Sequence, residues 1–224
     1  KCGISIVDFS GGMLAALGLM VGLYRARTTG QGGDVDVSLL DAALTMLNYM
    51  ASWSLDRGWE PVRHPQGAHQ SLVPSQTFAT RDGWLVIMIM KQKFWARLVE
   101  RLDLPALGDD PRFTTFADRL ANRTVLGPIL ETRFRERTTA EWLERLRGHV
   151  PVAPVYTVAE ALADEQVLAR EMLVDLPHPV FGTLRQVGSP IKMAGVRPHY
   201  RAASGLGADT AAILEEIGVD AAEL

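Results

Sequence analysis

Hydrophobic and polar positions divide the chain into two long apolar stretches and a mixed remainder. Residues 13–24 are apolar throughout and predict a buried helix that ends near Gly30. Residues 39–53 carry apolar side chains at helical spacing without a clear polar face, so they predict a second long buried helix. Residues 34–38 alternate and predict a short strand between the two helices.

The remainder mixes loop, strand and helix patterns. Residues 57–74 contain three prolines and two glycines and predict an irregular loop, long enough to be either functional or disordered. A hairpin is predicted over 76–90, further strands over 152–156 and 173–193, and helices over 91–102, 116–133, 139–148, 158–170 and about 210–217. This mixture, without repeats, indicates an α/β or α+β class.

Composition narrows the function classes. The 224 residues are 47% hydrophobic and 22% charged, as in ordinary globular proteins. The net charge of -3 gives no reason to expect nucleic acid or an anionic membrane as a partner, and an apolar run over 13–24 is shorter than the ~20 residues that span a bilayer. The single cysteine, Cys2, predicts an incidental thiol and a reducing cytoplasm. A start at Lys1, close to a buried-looking segment, suggests a piece of a longer polypeptide.

Candidate chemistry lies just before the first helix. A short apolar run over 4–7 leads to Asp8, Ser10 and the pair Gly11 and Gly12, which predict a permissive turn. Asp8 or Ser10 would lie at or near the helix N-cap, where backbone N–H groups lack intrahelical partners and the helix dipole favours a carboxylate. Two interpretations of Asp8 remain open: a structural cap, or a functional carboxylate beside glycines that let a ligand approach the backbone.

Familiar catalytic motifs are missing elsewhere. The glycines of 30–33 precede a predicted strand and not a helix, so they form neither a P-loop nor a dinucleotide fingerprint. The five histidines lack metal-ligand spacing, and we expect no metal site. The residues by themselves therefore indicate an α/β domain with a candidate carboxylate and a candidate functional loop, but no particular reaction.

Several motifs resemble class III CoA-transferases, a family that includes formyl-CoA and carnitine-type CoA-transferases and the related α-methylacyl-CoA racemases. The strongest are SIVDFSGG (5–12), followed by the apolar helix, and RTTGQGGDVDVSLLDA (27–42). Further matches occur in the family's order at AHQSLVP (68–74), DGW (82–84), DDPRF (109–113), VAPV (152–155) and GSPIK (188–192). The resemblance spans nearly the whole chain.

The resemblance implies a role for Asp8. In the transferases, the aspartate at this position attacks an acyl-CoA thioester and becomes an aspartyl-CoA thioester, which is covalent catalysis. We therefore assign Asp8 as the catalytic residue and the backbone of Gly11 and Gly12 to oxyanion stabilisation. Coenzyme A would then be a substrate, and no tightly bound cofactor is expected.

The resemblance also implies a function for the predicted loop. Residues 65–70 lie where formyl-CoA transferase carries a glycine-rich flap, although this sequence has one glycine and a His-Gln pair in its place. Gly67, His69 and Gln70 are accordingly assigned to substrate binding. For His69 and Gln70, plain hydrogen bonding within the loop remains an open alternative.

The family implies a fold larger than this chain. We expect the end of a doubly wound CoA-binding domain plus a smaller α+β domain, in an interlocked homodimer. The corresponding segments are 1–60 (the helical part of the large domain), 61–175 (the smaller domain with the active-site loop) and 176–224 (the return to the large domain). The expected partners are an acyl-CoA and a carboxylic acid, with no nucleic acid and no membrane.

Two alternatives to a cytoplasmic transferase remain. One is an acyl-CoA racemase or epimerase of the same family, in which Asp8 would transfer a proton at the α-carbon. The other is a non-catalytic fragment that only pairs with another chain. The sequence of the loop motif AHQSLVP (68–74) favours the transferase.

Overall fold

The computed structural model describes residues 3–219, which have the mixed α/β character expected. The chain divides into two compact units. One comprises the chain up to Thr77, together with Ile87–Leu130 and Gly148–Pro151, and the other comprises Phe78–Val86, Glu131–Arg147 and the chain from Val152 onward. The division into 1–60, 61–175 and 176–224 concerns the whole protein and stays a prediction. Cys2 lies outside the described residues.

Eleven α-helices and five strands occur within residues 3–219. The helices are α1 Ile6–Thr29, α2 Leu39–Met46, α3 Tyr49–Arg57, α4 Gln92–Arg101, α5 Ala106–Asp109, α6 Phe116–Ala121, α7 Arg123–Phe134, α8 Thr139–Leu146, α9 Val158–Leu162, α10 Glu165–Ala169 and α11 Thr210–Glu216. The strands are β1 Ser75–Ala79, β2 Trp84–Met88, β3 Val152–Pro154, β4 Leu173–His178 and β5 Gly182–Val187. A three-stranded sheet has the order β1-β2-β3, and β4 pairs antiparallel with β5.

The first helix begins earlier than its apolar core predicts. Helix α1 covers 24 residues from Ile6, and Gly30 closes it at φ 74°, as predicted. The turn predicted at Gly11 and Gly12 is wrong, because both glycines lie inside the helix. Packing explains Gly11, since a Cβ there would come within 2.7 Å of Leu39 Cδ2 on α2. Close packing of α2 thus offsets the ~1 kcal/mol that glycine costs inside a helix.

Helix α1 is exposed along most of its length, contrary to the predicted burial. Only Ser10 and Gly11 are buried, whereas Phe9, Met13 and Tyr24 are 68%, 67% and 72% exposed. The helix is also long and apolar enough to cross a membrane by length and composition. Helix α1 is therefore longer than the ~20 residues needed to span a bilayer, whereas the predicted 13–24 helix is shorter.

The second apolar stretch is two helices and not one. Helix α2 begins at the N-cap Ser38, whose hydroxyl accepts the Asp41 amide at 3.0 Å. The stretch then breaks at Asn48, a non-glycine residue at φ 53° and ψ -129°, after which α3 begins. The strand predicted over 34–38 is also wrong. Those residues have no regular structure, and Val35 instead packs on Gly18, where a Cβ would lie 2.7 Å away.

Two later helices are also divided by side chains that compete with the helical ladder. The helix predicted over 116–133 breaks at Asn122, whose amide donates to the Asp118 carbonyl at 2.9 Å. The helix predicted over 158–170 breaks before Asp164, whose carboxylate accepts the Gln166 amide at 2.8 Å and caps α10. Local capping of this kind gives the backbone an alternative to one continuous helix.

Each unit has an apolar core that contains helices predicted from the sequence. In the first unit, α4 buries Trp95, Leu98 and Val99. In the second unit, Phe134 packs against Trp142 with ring centroids 5.3 Å apart, and the indole donates to the Phe134 carbonyl at 2.7 Å. The predicted hairpin β1–β2 is confirmed, and a capping box of Thr138 and Glu141 begins α8.

Candidate active site

Asp8 lies in the first turn of α1 and is not its cap. The N-cap is Ser5, and Asp8 is the third residue of the helix. Ser10 is no cap either, because it is buried and its hydroxyl donates to the Ile6 carbonyl one turn back. The first helical hydrogen bond joins the Phe9 amide to Ser5, so the Asp8 carboxylate lies at the positive end of the helix dipole.

The Asp8 side chain is exposed and has free space beside it. Together with Phe9, Gly12, Met13 and Ala16, it lines an open depression of about 430 Å³ on α1. Within residues 3–219 its carboxylate makes no hydrogen bond and no ion pair. A Cβ at Gly12, one turn further on, would meet nothing within 4 Å. Packing does not explain this glycine, whereas access to the carboxylate would.

The helical position of Gly11 and Gly12 differs from the turn that was expected for an oxyanion role of their amides. The prediction assumed turn amides, but both residues lie in the interior of α1, where amides bond to the preceding turn. The unbonded amides of a helix are those of its first turn, before the Phe9 amide. A role for the two glycines through backbone access stays a prediction.

His69 forms the centre of a hydrogen-bond network in the loop after α3. Its Nδ1 accepts the backbone amides of Ser71 and Leu72, each at 3.1 Å. The ring proton therefore lies on Nε2, which donates to the Tyr49 hydroxyl at 2.9 Å. Tyr49 is the first residue of α3, so the break at Asn48 determines where this hydroxyl lies.

Arg123 fixes the loop from α7. Its Nη2 donates to the carbonyls of His69 and Gln70, the latter at 3.1 Å. Burial first, and then the Arg123 charge, lower the pKa of His69 below its usual 6.5. The imidazole is therefore neutral at neutral pH, which agrees with its acceptance of two amides through Nδ1.

Gln70 and Gly67 serve the loop's own structure. The Gln70 amide nitrogen donates to the Val62 carbonyl at 2.6 Å, while its buried Oε1 has no partner among the described residues. Gly67 ends a 3-10 turn at φ 63°, and the preceding Gln66 carbonyl accepts the Thr77 hydroxyl at 2.8 Å. Hydrogen bonding within the loop is thus observed for both members of the His-Gln pair, and their contact with substrate stays a prediction.

The structure adds two residues to the predicted site. Tyr49 and Arg123 join His69 and Gln70, but no hydrogen bond or ring contact within residues 3–219 connects this group with Asp8. In the sequence, Tyr49 lies within the predicted 39–53 helix, and only its polar hydroxyl distinguishes it from its apolar neighbours. No sequence pattern indicates a functional role for Arg123. No group of three metal-ligand side chains occurs among the described residues.

The fold is mixed α/β, and Asp8 presents an exposed carboxylate in the first turn of α1. The chain belongs to CoA-transferase family III, whose family model matches residues 1–210. This confirms the family and the fold that the sequence motifs indicated.

Curated relatives and solved structures agree with that membership. Human succinyl-CoA:glutarate CoA-transferase is 32% identical over 221 residues, which cover 96% of this chain and 49% of the relative. Acetyl-CoA:oxalate CoA-transferase of Acetobacter aceti is 33% identical over 202 residues, which cover 89% and 50%. The crystal structure of a CAIB/BAIF family protein from Brucella suis has a TM-score of 0.79 and 28% identity, covering 97% of this chain and 56% of that one. The chain spans about half the length of the curated relatives it matches.

Proposed function

We propose that the full-length protein transfers CoA from an acyl-CoA to a carboxylic acid, with Asp8 as the nucleophile. The observation that carries the proposal is the Asp8 carboxylate, which is exposed, unpaired within residues 3–219 and adjacent to the open space at Gly12. The positive end of the helix dipole stabilises negative charge at this position. The names of the relatives support the reaction class, since each names a CoA-transferase.

The chemistry proceeds through four exchanges. The Asp8 carboxylate attacks the thioester carbonyl, which releases CoA thiolate and leaves a mixed anhydride. The thiolate then attacks the aspartyl carbonyl of the anhydride, which releases the donor's carboxylate and forms the aspartyl-CoA thioester. The acceptor carboxylate attacks that thioester and expels CoA thiolate again. The thiolate finally attacks the acceptor carbonyl, which gives the new acyl-CoA and regenerates Asp8.

The first turn of α1 supports each tetrahedral intermediate. Every step creates an oxyanion next to the Asp8 carboxyl group, where the positive end of the helix dipole lies. The amides of Val7 and Asp8 precede the first helical hydrogen bond and are donors outside the helical ladder. Gly12 leaves the space through which the thioester reaches the carboxylate.

For the acceptor, we propose a dicarboxylic acid. Glutarate, oxalate and mesaconate occur in the names of the relatives. A cytoplasmic location and the absence of a tightly bound cofactor remain predictions from the sequence.

Mass spectrometry tests the proposal directly. The full-length protein, incubated with succinyl-CoA, acetyl-CoA or formyl-CoA, is expected to gain the mass of CoA less one water on the peptide that contains Asp8. Addition of an acceptor dicarboxylate should remove the adduct, and initial rates should follow ping-pong kinetics. Exchange of the α-proton with solvent and no adduct would instead indicate a racemase. Failure to turn over any CoA ester would indicate a non-catalytic pairing partner.

The loop pair gives a further prediction. Replacing His69 and Gln70 together by alanine is expected to lower kcat/KM by about tenfold or to change the substrate preference, with a smaller effect on Tm. The reason is that their hydrogen bonds order the loop at the family's flap position. Steady-state kinetics and thermal melting of the full-length variant measure both quantities.

His178 provides the matched control for this pair. Its Nδ1 also accepts two backbone amides, from Val180 at 3.1 Å and Phe181 at 3.3 Å, but it lies in the β4–β5 hairpin. We expect His178→Ala to leave kcat/KM unchanged. If the double alanine variant instead keeps its kcat/KM and loses Tm, the loop pair is structural.

A further inference from the structure

In the Tyr49–His69 pair, the hydroxyl group of Tyr49 is a hydrogen-bond donor without an acceptor among the described residues. Because Nδ1 of His69 accepts two backbone amides, its proton is on Nε2, and the Tyr49 oxygen must accept from it. The phenolic hydrogen of Tyr49 therefore remains available to donate. Within residues 3–219, no acceptor lies within hydrogen-bond distance of that hydroxyl apart from the already protonated Nε2.

Aromatic packing holds the Tyr49 ring in place and leaves it partly exposed. The ring contacts Trp53 with centroids 4.8 Å apart, and Trp53 contacts Trp59 edge-to-face at 5.3 Å. With rings on one side and the His69 imidazole at 5.8 Å, the hydroxyl has a fixed position. A fixed, partly exposed donor is what a polar ligand needs for orientation.

Arg123 gives the surroundings of this donor a positive charge. Its Nη2 bonds two carbonyls, which are neutral, and its buried Nη1 has no hydrogen-bond partner among the described residues. No Asp or Glu within residues 3–219 forms an ion pair with it. The nearby titratable groups are His64 and His69, whose pKa values are lowered by burial first and then by the Arg123 charge. Histidine is neutral or positively charged, so neither group can neutralise Arg123.

We propose that Tyr49 is a substrate-binding residue whose hydroxyl donates to a carboxylate oxygen of the acceptor acid, and that Arg123 is a positioning residue that holds His69 behind it. An available donor beside an unneutralised positive charge suits an anionic oxygen. The proposal rests on the proposed CoA transfer, because it assigns this carboxylate to the acceptor substrate. It goes beyond that function by naming a residue that selects the acceptor and not the CoA ester.

The kinetic test separates the two half-reactions. Tyr49→Phe in the full-length protein is expected to raise the KM for the acceptor dicarboxylate roughly ten- to one-hundred-fold, the effect of losing a hydrogen bond to a charged group. Formation of the CoA adduct from the donor alone should stay within about threefold of wild type. Tyr156→Phe is the control and should change neither quantity, because Tyr156 is exposed and, unlike Tyr49, has no hydrogen bond among the described residues. An unchanged acceptor KM in Tyr49→Phe would overturn the assignment.

A binding test does not depend on transfer. Isothermal titration calorimetry with oxalate, succinate and glutarate measures carboxylate affinity of the wild-type protein and of Tyr49→Phe. We expect a Kd at least about tenfold weaker in the variant for the best of the three probes. Equal affinities, or no binding of any probe to the wild type, would overturn the Tyr49 proposal whether or not the protein transfers CoA. Absence of transfer with a weakened Kd would instead overturn the proposed function alone.

The positioning role of Arg123 is tested by a double-mutant cycle. Arg123→Lys keeps the positive charge but loses the planar group that bonds two carbonyls. It should raise the acceptor KM in the wild-type background and have little further effect in Tyr49→Phe, because both changes act on one hydroxyl. A general structural role would give the same increase in both backgrounds, and that result would overturn the proposal.

Discussion

Replacing Asp8 by alanine in a full-length context is expected to abolish CoA transfer and to leave the fold intact. The carboxylate has no hydrogen bond or ion pair within residues 3–219, so its removal costs only its interaction with the helix dipole, about 0.3–1 kcal/mol. A covalent nucleophile has no such substitute, and its loss should remove nearly all turnover. Initial rates with saturating acyl-CoA and acceptor, together with thermal melting, measure the two effects.

Asp41 is the matched control for Asp8. It is also exposed and is also the third residue of a helix, since α2 begins at Leu39 as α1 begins at Ile6. Asp41→Ala therefore removes a helix-start charge of the same kind and should leave the rate within tenfold of wild type. Activity of Asp8→Ala within tenfold of wild type would contradict the assignment. Equal losses in both variants would trace the effect to helix-start charge and not to nucleophilicity.

A charge placed on α1 is expected to prevent assembly of the full-length protein. We propose that the apolar residues of α1 are covered in an obligate dimer with an interface above about 2,000 Å², the size and apolar character of permanent interfaces. Leu17, which is 61% exposed here, would then lie in that interface. Leu17→Asp would bury an unpaired carboxylate at a cost of several kcal/mol, enough to abolish a stable dimer.

Light scattering of the purified full-length protein at micromolar concentration measures this effect. Leu206→Asp is the control, because Leu206 is fully exposed in a non-helical segment and its replacement should leave the dimer intact. A stable, fully active monomer of the wild type would contradict the interlocked dimer. Recovery of the wild type only in detergent would instead assign α1 to a membrane, which its length and composition permit.

Sequence patterns predicted the elements whose apolar faces are covered within the chain. Helix α4 buries Trp95 and Leu98 at helical spacing, and the Thr138–Glu141 capping box marks the start of α8. Residues 4–7 form a short apolar run, a pattern that fits a strand or a helix equally well. The glycine pair that follows predicts a turn, but Gly11 lies inside α1, where Leu39 packs against it. That contact joins residues far apart in the sequence, so the pattern of hydrophobic and polar residues around Gly11 does not indicate it.

The residues of the candidate site were harder to predict from local sequence patterns than the helices and strands were. Asp8 can be identified from its position at the start of a predicted helix and from the family motif around it, whereas the group around His69 depends on contacts across the chain. Its partners are 20 positions away at Tyr49 and 54 positions away at Arg123. The tautomer of His69 follows from two backbone amides, and no composition or spacing indicates where those amides lie.

The fit between Gly11 and Leu39 has an evolutionary consequence. A Cβ at position 11 would lie 2.7 Å from the Leu39 side chain, so a larger residue there requires a smaller one at position 39. Substitutions at the two positions are therefore expected to be coupled, so that the cost of a larger residue at position 11 depends on which residue occupies position 39.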